Sequence, residues 1–178
     1  MKKLSLKELN RISIPEFKAQ EKAPIVLVLD NIRSAHNVGA AFRTADAFAI
    51  EKIVLCGITA QPPHREILKT AIGASQSVNW IYEKDNVTAV KQLKTKGYTI
   101  IGVEQTDESI SLENVATVET AKYALIFGNE IQGVDEQLLP LLDASVEIPQ
   151  FGTKHSLNVS VSIGIVLWTY FKTWKYGS

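Results

Sequence analysis

The chain has 178 residues and a formal net charge of zero, from 19 basic and 19 acidic residues. That length fits one compact domain with a sizeable core, and neutrality excludes a globally basic nucleic-acid binder, so any such surface must be local. The single cysteine, Cys56, excludes an intramolecular disulfide and a cysteine-based metal cluster, which fits a reducing, cytoplasmic setting.

Met1-Lys2-Lys3 is followed by Leu4-Ser5-Leu6-Lys7-Glu8 rather than an apolar core, so no signal peptide is expected. No apolar run approaches the roughly 20 residues of a membrane span. Residues 1–22 are polar and set Lys2, Lys3, Lys7, Arg11, Lys18 and Lys22 against Glu8, Glu16 and Glu21, six minus three, a local excess of three positive charges. They form a basic arm before a domain over 23–178, either solvated or clamped on a nucleic-acid backbone. Ser5-Leu6-Lys7-Glu8 has capping-box spacing for a short helix.

After Pro24 the pattern becomes regular. Ile25 to Leu29 is a continuous apolar run, as in a strand buried on both faces. Asn37 is expected to cap a helix carrying Val38, Ala41, Phe42, Ala45 and Phe48. Further strands are expected at Lys52–Cys56, Val78–Tyr82, Tyr98–Val103, Tyr123–Phe127 and Ala144–Ile148. Helices are expected at Asn86–Lys96, closed by Gly97, and at Asp135–Leu142. This alternation predicts an α/β domain with a mainly parallel six-stranded sheet flanked by helices. In the last segment, Val159, Val161, Ile163 and Ile165 alternate as in a strand. Ser156, Ser160 and Gly164 also fall at helical spacing, with Val159, Ile163, Val166 and Tyr170 as a stripe. The length from Leu157 to Lys172 favours helix.

Ligands of open α/β sheets bind beyond the carboxyl ends of the strands. Four such loops hold unusual residues: Asp30–Gly39, Glu104–Asp107, Gly128–Gly133, and Gln150–Ser160. Familiar chemistries are excluded. There is no G-x-G-x-x-G or G-x-x-x-x-G-K-[ST] phosphate loop and no G-x-S-x-G elbow. His36, His64 and His155 are too scattered for zinc, so no metal is expected.

Taken together the loops resemble the three motifs of the SpoU family of RNA 2′-O-ribose methyltransferases, in the SPOUT superfamily. The first is Asn37-Val38-Gly39-Ala40-Ala41-Phe42-Arg43-Thr44-Ala45. The second is Ala124 to Glu130 with Gly133, and the third is Ile148-Pro149 followed by Ser156-Leu157-Asn158-Val159-Ser160. The resemblance covers roughly residues 24–172. Three departures are visible: Ala49 stands where the family often has glycine after the first helix, Ile131 where glycine often follows the glutamate, and Gln150 replaces a common methionine. The last two bear on the shape of the cofactor loops.

The resemblance implies a SPOUT methyltransferase domain over 23–178 whose C-terminal segment threads a deep trefoil knot, and a homodimer packed through the last helix. It implies S-adenosyl-L-methionine held by Gly128, Ile148 and Leu157, with Val103 and Glu104. It implies a catalytic set of Arg43, Asn37, Glu130, Ser156 and Asn158. Guanidinium stays protonated, so Arg43 is expected to fork a phosphate beside the target ribose rather than act as base. Asn37, Ser156 and Asn158 have a capping role as the plain alternative, and Glu130 a turn-fixing one. Arg33, His36, Arg65, Lys154 and His155 flank the loops as candidate RNA-binding residues, and Trp80, Trp168 and Trp174 read as core or interface. The expected activity is methyl transfer to a ribose 2′-hydroxyl of tRNA or rRNA, tRNA preferred, by a minimal single-domain cytoplasmic protein with no membrane partner. The alternatives are an RNA-binding or ribosome-assembly protein that kept the fold and lost turnover, and a different small-molecule α/β enzyme.

Overall fold

A computed structural model describes residues 1–5, 8–9, 11–154 and 156–177. Among them the strands are β1 (Ala23–Asp30), β2 (Ile50–Cys56), β3 (Trp80–Glu83), β4 (Tyr98–Val103), β5 (Ile110–Ser111), β6 (Lys122–Phe127) and β7 (Ala144–Glu147). They form one sheet in the order β3-β2-β1-β6-β4-β7-β5, every pairing parallel. The helices are α1 (Ile14–Ala19), α2 (Ala35–Ala47), α3 (Arg65–Ala71), α4 (Ala74–Ser77), α5 (Asn86–Thr95) and α6 (Val159–Tyr176).

The sheet is covered on both faces, which is why β1 reads as unbroken apolar residues. Ile25, Leu27 and Leu29 join a core with Phe17, α2, α3 and α6, while Val26 and Val28 join a second core with Ala89, Val90 and Leu93 of α5. In α2, Val38, Ala41, Phe42 and Ala45 are buried at helical spacing. Gly39 lets α3 approach that helix: a Cβ there would lie 1.9 Å from Thr70 Oγ1 and 2.6 Å from the Ile67 carbonyl oxygen. Asp85 accepts from Val87 and Thr88 N–H to start α5, and Gly97 follows that helix at φ 80°.

The sheet has seven strands rather than the expected six. The extra one, β5, is two residues paired only with β7, too short for a period-2 pattern to reveal it. Asn37 is not the cap of α2. Ser34 accepts from Asn37 N–H at 3.4 Å, so Asn37 sits inside the first turn and its side chain is free to point elsewhere. The helix expected over 135–142 is a set of turns ending in a 3₁₀ turn at Leu139–Leu141, because Pro140 lacks an N–H and disfavours helical backbone before it. Helices α1, α3 and α4 were not expected, and β3 starts at Trp80 because α4 and its cap Val78 occupy the preceding residues.

The final segment is a helix, not a strand. Asn158 accepts from Ser160 N–H at 2.9 Å to start it, and Ile163, Val166, Leu167 and Tyr170 are buried along one stripe. The small-residue face is not closely packed within the chain, since a Cβ added at Gly164 meets nothing within 4 Å. Ser5 N–H donates to the Glu8 carboxylate, one of the two hydrogen bonds of the expected capping box, and Glu8 N–H donates to the Ser5 carbonyl rather than its hydroxyl; Leu6 and Lys7 of that motif lie outside the described residues.

Candidate active site

The loops after β1, β4, β6 and β7 meet at the carboxyl edge of the sheet. The tightest of them follows β6. Asn129 and Gly133 pair through both backbone hydrogen bonds, 2.8 and 2.9 Å. The Asn129 side chain accepts from Ile131 and Gln132 N–H and donates to the Asn31 carbonyl at 2.7 Å. Gly128 is required here because a Cβ would lie 2.1 Å from the backbone of Gly133 and Val134. Glu104 braces the loop from below: its Oε2 accepts from Val134 N–H at 2.9 Å, and Oε1 accepts from Gln105 N–H.

Beneath these loops lies a buried polar hub. Asp30 accepts from the side-chain amides of Asn31 and Asn86 and from Asp135 N–H, all at 2.8–2.9 Å. Burial pushes its carboxyl above the usual range, although these three donors favour the charged form. The hub ties the end of β1 to the start of α5 and to the segment after Val134.

A cleft of about 560 Å³ opens above this frame. Val103, Glu104, Gly128, Ile148 and Leu157, the five expected cofactor residues, all line it. So do Glu130, Ser156 and Asn158. Asn37 joins them through hydrogen bonds. Its Nδ2 donates to Glu130 Oε1 at 2.9 Å, and its Oδ1 accepts from Asn158 Nδ2 at 3.3 Å. Glu130 also accepts from Arg33 and Ser34 N–H at 2.8 and 3.1 Å. Burial alone would raise the Glu130 carboxyl; the donors Arg33 N–H, Asn37 and Ser34 N–H outweigh it and hold it below its ordinary value. One residue from each of the three motifs is thereby linked at the rim of one cleft.

Arg43 stands apart. It is exposed on α2 and does not line this cleft. It lines a second cavity, with the N-terminal arm and the end of α6. Of the expected RNA-binding residues, Arg33, Arg65 and Lys154 are exposed, His36 contacts Glu66, and His155 lies outside the described residues. The residues that sequence reasoning passed over are Asn129, which shapes the loop, and Gln105, Gln132 and Ser162 in the lining. The Gly-Asn-Glu order was a signal for Asn129, since asparagine readily builds such a turn with its own side chain. Among the described residues, no group of three or more His, Cys, Asp or Glu could hold a metal ion. No described helix is long and apolar enough to cross a membrane.

A parallel α/β sheet with a cleft framed by backbone loops at its carboxyl edge defines a small-molecule-binding α/β protein of the open-sheet class. The chain belongs to the SpoU rRNA Methylase family, whose model matches residues 24–168. It is 35% identical over 144 residues to the 23S rRNA (guanosine-2′-O-)-methyltransferase RlmB of Neisseria meningitidis, covering 81% of this chain and 56% of that protein. It is 30% identical over 145 residues to the tRNA (guanosine(18)-2′-O)-methyltransferase of Borreliella burgdorferi, covering 82% and 65%. The crystal structure of the A. aeolicus TrmH/SpoU tRNA modifying enzyme superposes with a TM-score of 0.79 at 25% identity, covering 89% of this chain and 79% of that one. The chain thus spans between half and two thirds of the length of the two relatives named first.

Proposed function

We propose that this protein transfers a methyl group from S-adenosyl-L-methionine to a ribose 2′-hydroxyl of tRNA or rRNA. The observation that carries the reading is the Glu130–Asn37–Asn158 hydrogen-bond chain at the rim of the loop-framed cleft. The named relatives methylate guanosine 2′-oxygens in both RNA classes, and neither class is favoured by the geometry.

The cleft fits the methyl donor. It has the volume of a small-molecule site, and its walls at Gly128, Ile148 and Leu157 offer backbone groups for an adenine. When bound, the donor supplies an electrophilic methyl carbon on a sulfonium. Asn37 and Asn158 orient the incoming ribose, with Ser156 beside them. Glu130 is a positioning residue: it holds Asn37 and the turn at Arg33 and Ser34. With the 2′-oxygen held against that methyl carbon, the phosphate forked by Arg43 would take the hydroxyl proton.

The protein acts as a homodimer through α6. Val161, Ile165, Trp168 and Tyr176 are 39–71% exposed along one side of that helix, and such an apolar stripe asks for a partner. Arg43 outside the cleft of its own chain is a second reason for two copies. A knotted C-terminal segment, a functional boundary between residues 22 and 23, a cytoplasmic location and RNA contacts at Arg33, His36, Arg65, Lys154 and His155 complete the reading. The test is transfer of label from the methyl donor to total RNA of a strain lacking this gene, followed by mapping of the modified nucleotide. Binding of RNA without any transfer would leave an RNA-binding protein with a silent site.

A further inference from the structure

The lining of the donor cleft carries three carboxylates, Glu104, Glu130 and Glu147, and no described Lys, Arg or His. Two of the three are already engaged. Glu104 accepts from Val134 and Gln105 N–H, one on each oxygen. Glu130 accepts from Arg33 N–H, Ser34 N–H and the Asn37 side chain. Glu147 is different. It is half-buried at the end of β7, and its carboxylate has no hydrogen bond or ion pair with any described residue.

The sheet fixes its place. Val103 of β4 pairs with Val146, and Ser111 of β5 pairs with Glu147. Glu104 N–H donates to the Val146 carbonyl at 3.1 Å, and Ser145 Oγ donates to the Glu104 carbonyl at 2.9 Å. The ends of β4 and β7 are thus tied together where Glu104 and Glu147 stand. Like charges at neighbouring strand positions repel, and a half-buried carboxylate without a partner has lost hydration for nothing in return. No ion pair between described residues involves Glu104, Glu130 or Glu147. A cationic ligand in the cleft offsets both costs.

We propose that Glu147 makes the cleft selective for charge: it favours the sulfonium donor over S-adenosylhomocysteine, the neutral thioether left after transfer. The inference rests on the methyltransferase reading above and adds to it a residue that tells donor from spent donor. The two molecules share adenine, ribose and amino-acid groups, and differ by one methyl group and one positive charge at sulfur. Backbone groups at Gly128, Ile148 and Leu157 meet the shared parts and serve both molecules alike. A fixed negative charge reads the difference, and a cleft lined by one sign of charge focuses its field on the ligand. The spent donor then leaves more readily than fresh donor and does not block the site.

The experiment titrates the full chain and its Glu147→Gln variant by calorimetry, without RNA. The ligands are S-adenosylmethionine, S-adenosylhomocysteine and sinefungin, an analogue with an ammonium-bearing carbon in place of the sulfonium. The wild-type chain is expected to bind the two charged ligands about tenfold more tightly than the thioether, the order of one charge pair near a protein surface. Rising salt is expected to shrink that preference. Glu147→Gln is expected to remove it by weakening the charged ligands while leaving the thioether's affinity in place. Equal losses for all three ligands overturn the proposal, because Glu147 then grips a part they share. Unchanged affinities in the variant, or a wild-type chain without the preference, overturn it and leave the methyltransferase reading intact. Should the variant fail to fold, the wild-type salt series decides alone, and a preference that ignores salt overturns it. A wild-type chain that binds none of the three brings down the donor site and the proposal together.

Discussion

At Ala49 the backbone has φ 45°, a left-handed conformation that side chains disfavour. This is the position where the family often carries glycine, and it closes the turn between α2 and β2. Ala49→Gly is expected to raise stability by up to about 1 kcal/mol in urea unfolding; a loss would show that the alanine methyl contributes more by packing than the strain costs. Glu130 gives a pH dependence. Its folded-state carboxyl lies below the ordinary 4.5, so as pH falls the unfolded chain takes up the proton first. The stabilisation is complete above pH 4.5 and is lost as pH drops through the lower folded value. Glu130→Gln should flatten that part of the stability curve and cost about 1 kcal/mol at neutral pH, read from unfolding at several pH values; an identical slope in both proteins would remove the carboxylate from this account. Arg43→Lys keeps the charge but loses the planar fork, and we expect methyl transfer to fall by about a hundredfold. Near-full turnover with intact RNA binding would sink the phosphate-fork role.

Among the elements, the loop after β6 and the start of α6 decide whether the cleft exists. Gly128→Ala would push a methyl group into the backbone of Gly133 and Val134. It should cost about 2 kcal/mol of stability and abolish donor binding by calorimetry; full affinity would show that the loop has another conformation open to it. Asn158 carries two roles with its two amide atoms, capping Ser160 and donating to Asn37. Capping α6 and reaching Asn37 are therefore compatible in one side chain. The same holds for Glu130, which both fixes the turn at Arg33 and Ser34 and holds Asn37. Apart from the helix expected over 135–142, which Pro140 breaks, the elements missed were short pieces. α3, α4 and β5 hold seven, four and two residues, fewer than a hydrophobic period needs to declare itself. α1 failed for a different reason: of its six residues only Phe17 is buried, and burial of one side chain leaves no periodic trace.

For the whole molecule the open question of partnership is concrete. Trp168 is 46% exposed in the centre of the α6 stripe. Trp168→Glu is expected to give monomers by sedimentation and to abolish transfer, since Arg43 does not line the cleft of its own chain; an active monomer would place the whole site in one copy. The sequence by itself determined the strand-helix alternation, the two-faced burial of the sheet and the three loops that carry the motifs, because each rests on local residue spacing. The family resemblance named residues that line the cleft, and three of them, Val103, Gly128 and Ile148, end or directly follow strands, where open-sheet ligands bind, while Leu157 lies just before α6. Only the tertiary structure decided that Asn37 turns its side chain to Glu130 and Asn158 instead of capping a helix. Only it decided that Arg43 faces a different cavity. Both depend on contacts between residues far apart in the chain, 93 and 121 positions for the Asn37 pair. Spacing along the sequence carries no record of which way a side chain turns once three loops meet.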